Sequence, residues 1–323
     1  SNTDSIMSQI NSSTLRLENA LIHGVHNIAI VAIDSAGNVS DTSNTVSITV
    51  DLEDPDAPTG VDLKDDSDTG LSISDDKTND VTPEFTFSGV TSTDSVFIVT
   101  TQDSNTDTVG SGLASSTSID MTTSDLSVVP ISYNDGSITI KGYAMDIAGN
   151  TSDISASASL IITLDTSEPT APTSVVLQSG SDSGISTTDR LTNDTTPTFT
   201  IEGVTSTDSV LLIIDGLTAS SGIASSTSID LNISSSMPPG SYTVSTQTID
   251  VAGNISTATV SDTLLRIDTQ APSKPSAPDL QASSDSGFLD TDNVTNITTP
   301  VFNLTGLSST IDSLALFVDG ISN

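Results

Sequence analysis

The chain alternates short apolar runs with polar turns, and nowhere does it sustain the three- and four-residue spacing of an amphipathic helix. Phe85-Thr-Phe87 has the two-residue period of a half-buried strand, and Val96-Phe-Ile-Val99 reads as a continuous buried run. Ile138–Tyr143 and Leu160–Leu164 follow as further strands. The series returns as Phe199-Thr-Ile201, Val210–Ile214, Tyr242–Val244 and Thr263–Ile267. Val, Ile, Thr and Ser dominate, while Gly, Pro, Asn and Asp mark the turns, so the pattern predicts an all-β chain.

The turns repeat as faithfully as the strands. Asp34-Ser-Ala-Gly-Asn38 comes back as Asp146-Ile-Ala-Gly-Asn150 and Asp250-Val-Ala-Gly-Asn254, 112 and then 104 residues on. A proline-containing linker, Asp51–Pro58, recurs as Asp165–Pro172 and Asp268–Pro275. Thr78-Asn-Asp-Val-Thr-Pro83 recurs as Thr192-Asn-Asp-Thr-Thr-Pro197 and, less faithfully, as Thr295–Pro300. Several anchors in one order at one period mean tandem domains. Residues 1–50 read as the back half of a repeat, 51–164 and 165–267 as two whole ones, and 268–323 as the front half of another, an excerpt of something longer. About seven short strands in each copy predict immunoglobulin-like β-sandwiches in an extended array.

Charge sharpens the picture. The chain has 42 acids against 7 Lys+Arg, a formal net charge of −35. No basic surface exists to displace counterions from phosphate, which excludes a nucleic-acid partner. An anionic membrane would repel the chain, and no run is apolar enough to span one. There is no Cys and no Trp, so the Cys–Trp–Cys core of secreted vertebrate immunoglobulin domains is absent.

The acids recur at the ends of strands. In a seven-strand sandwich, chain entry, the loop between strands two and three (BC) and the loop between six and seven (FG) share one end. That end of the first whole repeat would carry Asp51, Glu53, Asp54, Asp94 and Asp146; the second offers Asp165, Glu168, Asp208 and Asp250. Asp34, Asp268 and Asp312 are their counterparts in the partial copies. The loop between strands one and two (AB), at the other end, carries Asp68 and Asp75, then Asp182 and Asp189, then Asp285 and Asp292. Two like charges ~4 Å apart repel by about 4 kcal/mol at an effective dielectric near 20. Seven Lys+Arg cannot neutralise several such clusters, whereas Ca²⁺, taking six to eight oxygens from flexible loops, can. Magnesium demands a stricter octahedron, and zinc wants His or Cys. For a single Asp, and above all for Asp80 and Asp194, capping of its own turn is the competing reading.

Together, the Asp-x-x-x-Pro linker, the Thr-Asn-Asp-x-Thr-Pro segment and the Asp-x-Ala-Gly-Asn turn resemble the bacterial immunoglobulin-like repeats of giant type I-secreted, non-fimbrial adhesins; biofilm-associated surface proteins look similar. The resemblance covers the whole chain. It implies secretion to the bacterial cell surface and calcium held by linker and loop aspartates. The calcium would rigidify a stalk whose distal tip attaches to a host cell or surface. Asp51, Asp94 and Asp146, with Asp165, Asp208 and Asp250, are the matching positions. The third copy departs: Ile297 replaces the Asp of Asp80 and Asp194, and one residue is inserted before Asp312.

Other signals read as turns. His23-Gly-Val-His26 falls where other copies have Asn134-Asp-Gly136 and Pro238-Pro-Gly240, and the Asn-x-Ser sequences at Asn38, Asn150 and Asn254 fit Gly-Asn turns with unusual backbone angles. A glycosidase pair would lack an aromatic platform, and no protease, phosphate-loop or serine-elbow motif occurs, so no enzyme is expected. The expected partners are neighbouring repeats of the same chain, and a host glycan or protein bound through other regions. The alternatives are repeats that bind a receptor themselves, or spacers of a secreted enzyme.

Overall fold

The computed structural model describes residues 14–17, 19–128, 132–307, 313–319 and 321–322. Regular structure among them is strand, apart from one three-residue 3-10 turn at Ile154–Ala156. The chain forms two compact units, residues 1–169 with 249–256 and residues 170–248 with 257–323.

The first unit holds a sandwich. A three-stranded sheet runs Gly60–Leu63, Glu84–Ser88, Ser118–Thr122. A five-stranded sheet runs Lys77–Thr78, Ser159–Leu164, Gly136–Met145, Ser95–Gln102, Asn105–Leu113. The two close over one core. Phe85 and Phe87 point inward with no exposed surface, while Thr86 between them donates outward to Asp120 at 2.6 Å. Val96, Ile98, Ile138, Ile140, Ile162 and Leu164 meet them from the larger sheet. Each such burial contributes roughly 1.5–3 kcal/mol. Gly142 makes room for the Phe87 ring, which a Cβ there would meet at 2.6 Å.

Two strand readings need correction. Val96–Val99 is not uniformly inward: Phe97 lies on the other face, where its ring stacks on Tyr143 with centroids 4.7 Å apart. The run is apolar on both faces because the strand is central, flanked by Gly136–Met145 and Asn105–Leu113. Among its described residues the repeat also has eight strands rather than about seven, the extra being Lys77–Thr78, which pairs parallel to Ser159–Leu164. An earlier hairpin in the same unit joins Gly24–Ile28 to Val46–Val50.

In the second unit, Ser174–Leu177, Thr198–Glu202 and Ser228–Asn232 form one sheet, with Phe199 and Ile201 inward as Phe85 and Phe87 are. The opposite layer is broken at Thr243 into Gly240–Tyr242 and Val244–Ile249. Asp215 occupies the break, accepting both the N–H and the hydroxyl of Thr243 at 2.7 Å. The copy that follows contributes two short pairs, Asp279–Leu280 with Phe302–Asn303 and Phe317–Val318 with Ile321–Ser322.

Candidate metal-binding loops

The Asp-x-Ala-Gly-Asn segment is a self-bonded turn. At Asp146, Oδ1 accepts the N–H of Ala148 at 2.8 Å and of Asn150 at 2.9 Å, and Oδ2 accepts the Asn150 side-chain amide at 2.8 Å. Asp34 repeats this with Ala36 and Asn38, and Asp250 with Ala252 and Asn254. The Asn amide, foremost, holds Asp34 and Asp146 below the ordinary carboxylate pKa. A carboxylate has about four acceptor positions, so these bonds leave Asp146 little capacity beyond one lone pair on Oδ2.

Asparagine has a second task that the sequence did not disclose. Its remaining amide hydrogen reaches the linker: Asn150 donates to the Asp51 carbonyl at 3.3 Å, and Asn254 to the Asp165 carbonyl at 2.8 Å. The unusual backbone angle belongs to glycine alone, with φ of 87° at Gly37, 94° at Gly149 and 98° at Gly253. Asn was expected to share that role. Instead it fastens the entering chain to the FG turn.

Asp94 completes this end of the first repeat. It is 4% exposed, and its Oδ2 is buried with no hydrogen-bond partner. Burial first, and the charge of Asp146 second, push its pKa up. Asp208 is likewise buried, at 5% exposure, in the second unit. The linker side chains do not join Asp94. Asp51 Oδ1 caps the Glu53 N–H at 3.1 Å and lies 3.4 Å from His23 Nδ1, while Glu53 and Asp54 are exposed. Asp165 and Asp268 cap Ser167 and Gln270 in the same way, and Glu168 is exposed. Among the described residues, no three His, Cys, Asp or Glu side chains gather closely enough to hold a metal by themselves. The expected convergence of several carboxylates is therefore reduced to Asp94 beside Asp146, with the linker present through the Asp51 carbonyl. Asp312 lies outside the described residues.

The AB loops form a second recurring constellation. Asp68, Asp182 and Asp285 are 2%, 2% and 4% exposed. In each, Oδ2 accepts the N–H of the residue eight positions on: Asp76 at 3.2 Å, Arg190 at 3.1 Å and Asn293 at 3.1 Å. In each, Oδ1 is buried without a partner. Burial above all raises the pKa of Asp68. Asp75, Asp189 and Asp292 are exposed and cap N–H groups two residues on. Asp80 and Asp194 are caps as well, of Thr82 and Thr196.

Asp135 escaped notice because its turn looked ordinary. Its Oδ1 accepts the Thr166 N–H and hydroxyl, each at 2.8 Å, and its Oδ2 accepts the Ser167 hydroxyl at 2.5 Å. The outgoing linker is thus clasped to the first sandwich, and the Asp165 N–H adds a bond to the Thr78 carbonyl at 2.9 Å. No helix among the described residues is long and apolar enough to cross a membrane.

The family model described as bacterial Ig-like domain matches residues 56–166, 169–269 and 271–323. No curated protein matches the chain significantly. Among solved structures, the fibronectin(III)-like modules of Clostridium thermocellum CbhA share 11% identity at a TM-score of 0.37, over 64% of this chain and 94% of theirs. The FN1–FN3 domains of chicken CNTN1 share 14% at 0.35, over 74% and 76%. A structure concerned with host cell surface retention of a 1.5-MDa bacterial ice-binding adhesin shares 16% at 0.28, over 76% and 75%.

Proposed function

The chain belongs to the bacterial Ig-like domain family, and from that premise we propose that it is a stretch of the stalk of a bacterial surface adhesin. It is a spacer stiffened by calcium rather than an enzyme. The observation that carries the calcium reading is Asp94: a buried carboxylate oxygen without a partner, beside a second carboxylate, where linker, BC loop and FG turn meet. A hard, oxygen-seeking cation answers both the charge and the vacant acceptor. Asp94 and the remaining lone pair of Asp146 are the anionic ligands, and carbonyl oxygens and water fill the other positions. The orphaned oxygens of Asp68, Asp182 and Asp285 are further candidates of the same kind, one in each copy of the AB loop.

Extracellular calcium modules bind at about 10⁻⁴–10⁻³ M. Such sites fill outside the cell and empty inside, so the linker would stiffen after export and leave the chain pliable before it. With strands rising about 3.3 Å per residue, each sandwich adds roughly 35–45 Å of reach. Small-angle scattering in calcium and then in chelator tests the proposal. A longer, narrower distance distribution in calcium supports it, and an identical distribution in both removes it.

A further inference from the structure

The first compact unit takes in, besides the first whole repeat, the segment Ile249–Ser256, which is the FG turn of the second repeat. The AB loop of the first repeat holds it there. Thr69 Oγ1 donates to the Ala252 carbonyl at 2.6 Å, a short hydroxyl bond, and Ala252 is 1% exposed. Two glycines make the approach possible. A Cβ on Gly70 would strike the Val251 carbonyl oxygen and stand 2.8 Å from Ala252 C and 2.9 Å from Gly253 N. A Cβ on Gly253 would stand 3.0 Å from Gly70 N. Backbone meets backbone at this point, and both residues have left-handed φ, 95° and 98°, so the fit is open to glycine alone.

The other two AB loops employ the same hydroxyl differently. Ser183 and Ser286 stand in the place of Thr69, and each accepts the N–H of the Asn ten residues on: Asn193 at 2.8 Å and Asn296 at 3.0 Å, as Thr69 accepts Asn79 at 2.9 Å. Their own hydroxyl hydrogens close on that Asn side chain, donating to Asn193 Oδ1 and to Asn296 Oδ1 at 2.8 Å each. In the first copy the hydroxyl turns to Ala252 instead. One hydrogen thus has two positions, one bonded within its own loop and one that reaches another repeat's turn.

We propose that the AB loop is a latch for the Asp-x-Ala-Gly-Asn turn of the repeat that follows it. Closing the latch moves the hydroxyl from the loop's own Asn to the turn's Ala carbonyl and seats glycine against glycine. The fastening is protein to protein and does not depend on the calcium reading. Ser183-Gly184 and Ser286-Gly287 equip the later loops for the same partner.

Hydrogen–deuterium exchange of the full chain in chelator, followed in peptides covering residues 249–256, tests this. Thr69→Val should speed exchange there about fivefold, the weight of one ordinary hydrogen bond, and Gly70→Ala at least as much. Thr69→Ser keeps the hydroxyl and should exchange as wild type does. Gly149→Ala is the control. Its φ of 94° puts comparable backbone strain into the first repeat, but a Cβ there meets nothing within 4 Å, so exchange at 249–256 should not change. Unaltered exchange in either Thr69→Val or Gly70→Ala overturns the proposal. So does an equal rise in Gly149→Ala, which would trace the effect to the stability of the first repeat alone. Wild-type protection that appears only in calcium overturns it as well.

Discussion

Asn150 donates to the Asp51 carbonyl at 3.3 Å across 99 residues of chain while its other amide hydrogen holds Asp146 Oδ2 at 2.8 Å. One side chain thereby fastens the incoming linker to the FG turn. Asn150→Ala should destabilise the first repeat by about 1 kcal/mol through the carbonyl bond alone, a typical net value for one hydrogen bond. Asn150→Asp should do worse, because it adds a charge beside Asp146. Urea unfolding of the full chain reads both, and an Asn150→Ala variant as stable as wild type would show the tie to be idle.

Asp94 should behave oppositely with and without calcium. In chelator, Asp94→Asn removes a buried charge beside Asp146 and leaves the repeat as stable as wild type or more so. In calcium, wild type should gain about 2.7 kcal/mol at a hundredfold excess over the dissociation constant, and the variant far less. The two stability curves therefore cross as calcium is added. Equal gains in both proteins would exclude Asp94 as a ligand.

Tyr133 anchors the core through its hydroxyl, which lies 2.7 Å from Thr100 Oγ1 and donates to the Thr100 carbonyl at 3.1 Å. Thr100 has no exposed surface. Tyr133→Phe should cost about 1–2 kcal/mol, because a buried hydroxyl loses its best partner. Burial also raises the phenol pKa above its ordinary 10.0. An alkaline absorbance titration should therefore show one of the three tyrosines ionising later than the others. Three superimposable transitions would contradict the buried environment.

The strand pattern was legible where it depended on local alternation. Phe85 and Phe87, like Phe199 and Ile201, alternate in sequence and lie inward on the strand. It failed where neighbouring strands decide the outcome, as at Phe97, which is apolar because it stacks on Tyr143 rather than because it faces the core. The break at Thr243 depends on Asp215, 28 residues away, and no local rule announces it. Recurrence of the acids located the loops but could not say how many acceptor positions each carboxylate had left. Asp146 spends most of its capacity on its own turn, and Asp51 turns to Glu53 and His23. Asp135 and Asn150 act on residues 31 and 99 positions distant, beyond the reach of spacing arguments.

Asp135 sets the acid response of the outgoing linker. The Ser167 hydroxyl, opposed by partial burial and assisted by the Thr166 N–H and hydroxyl, holds the Asp135 pKa below its ordinary 3.8. A carboxylate whose folded pKa is depressed stabilises the fold fully above the unfolded value, and that contribution disappears as pH falls through the folded value. Asp94 has the opposite sign: its raised pKa makes the fold lose stability as pH climbs from 3.8 through the folded value. Asp135→Asn should therefore lower the thermal midpoint of the first repeat at neutral pH, and the gap to wild type should begin to narrow below pH 3.8 and close as the pH falls through the lower, folded value. Calorimetric scans from neutral to strongly acid buffer measure that gap. A gap of constant size across the whole range would mean that the Thr166 and Ser167 bonds do not depend on the charge of Asp135.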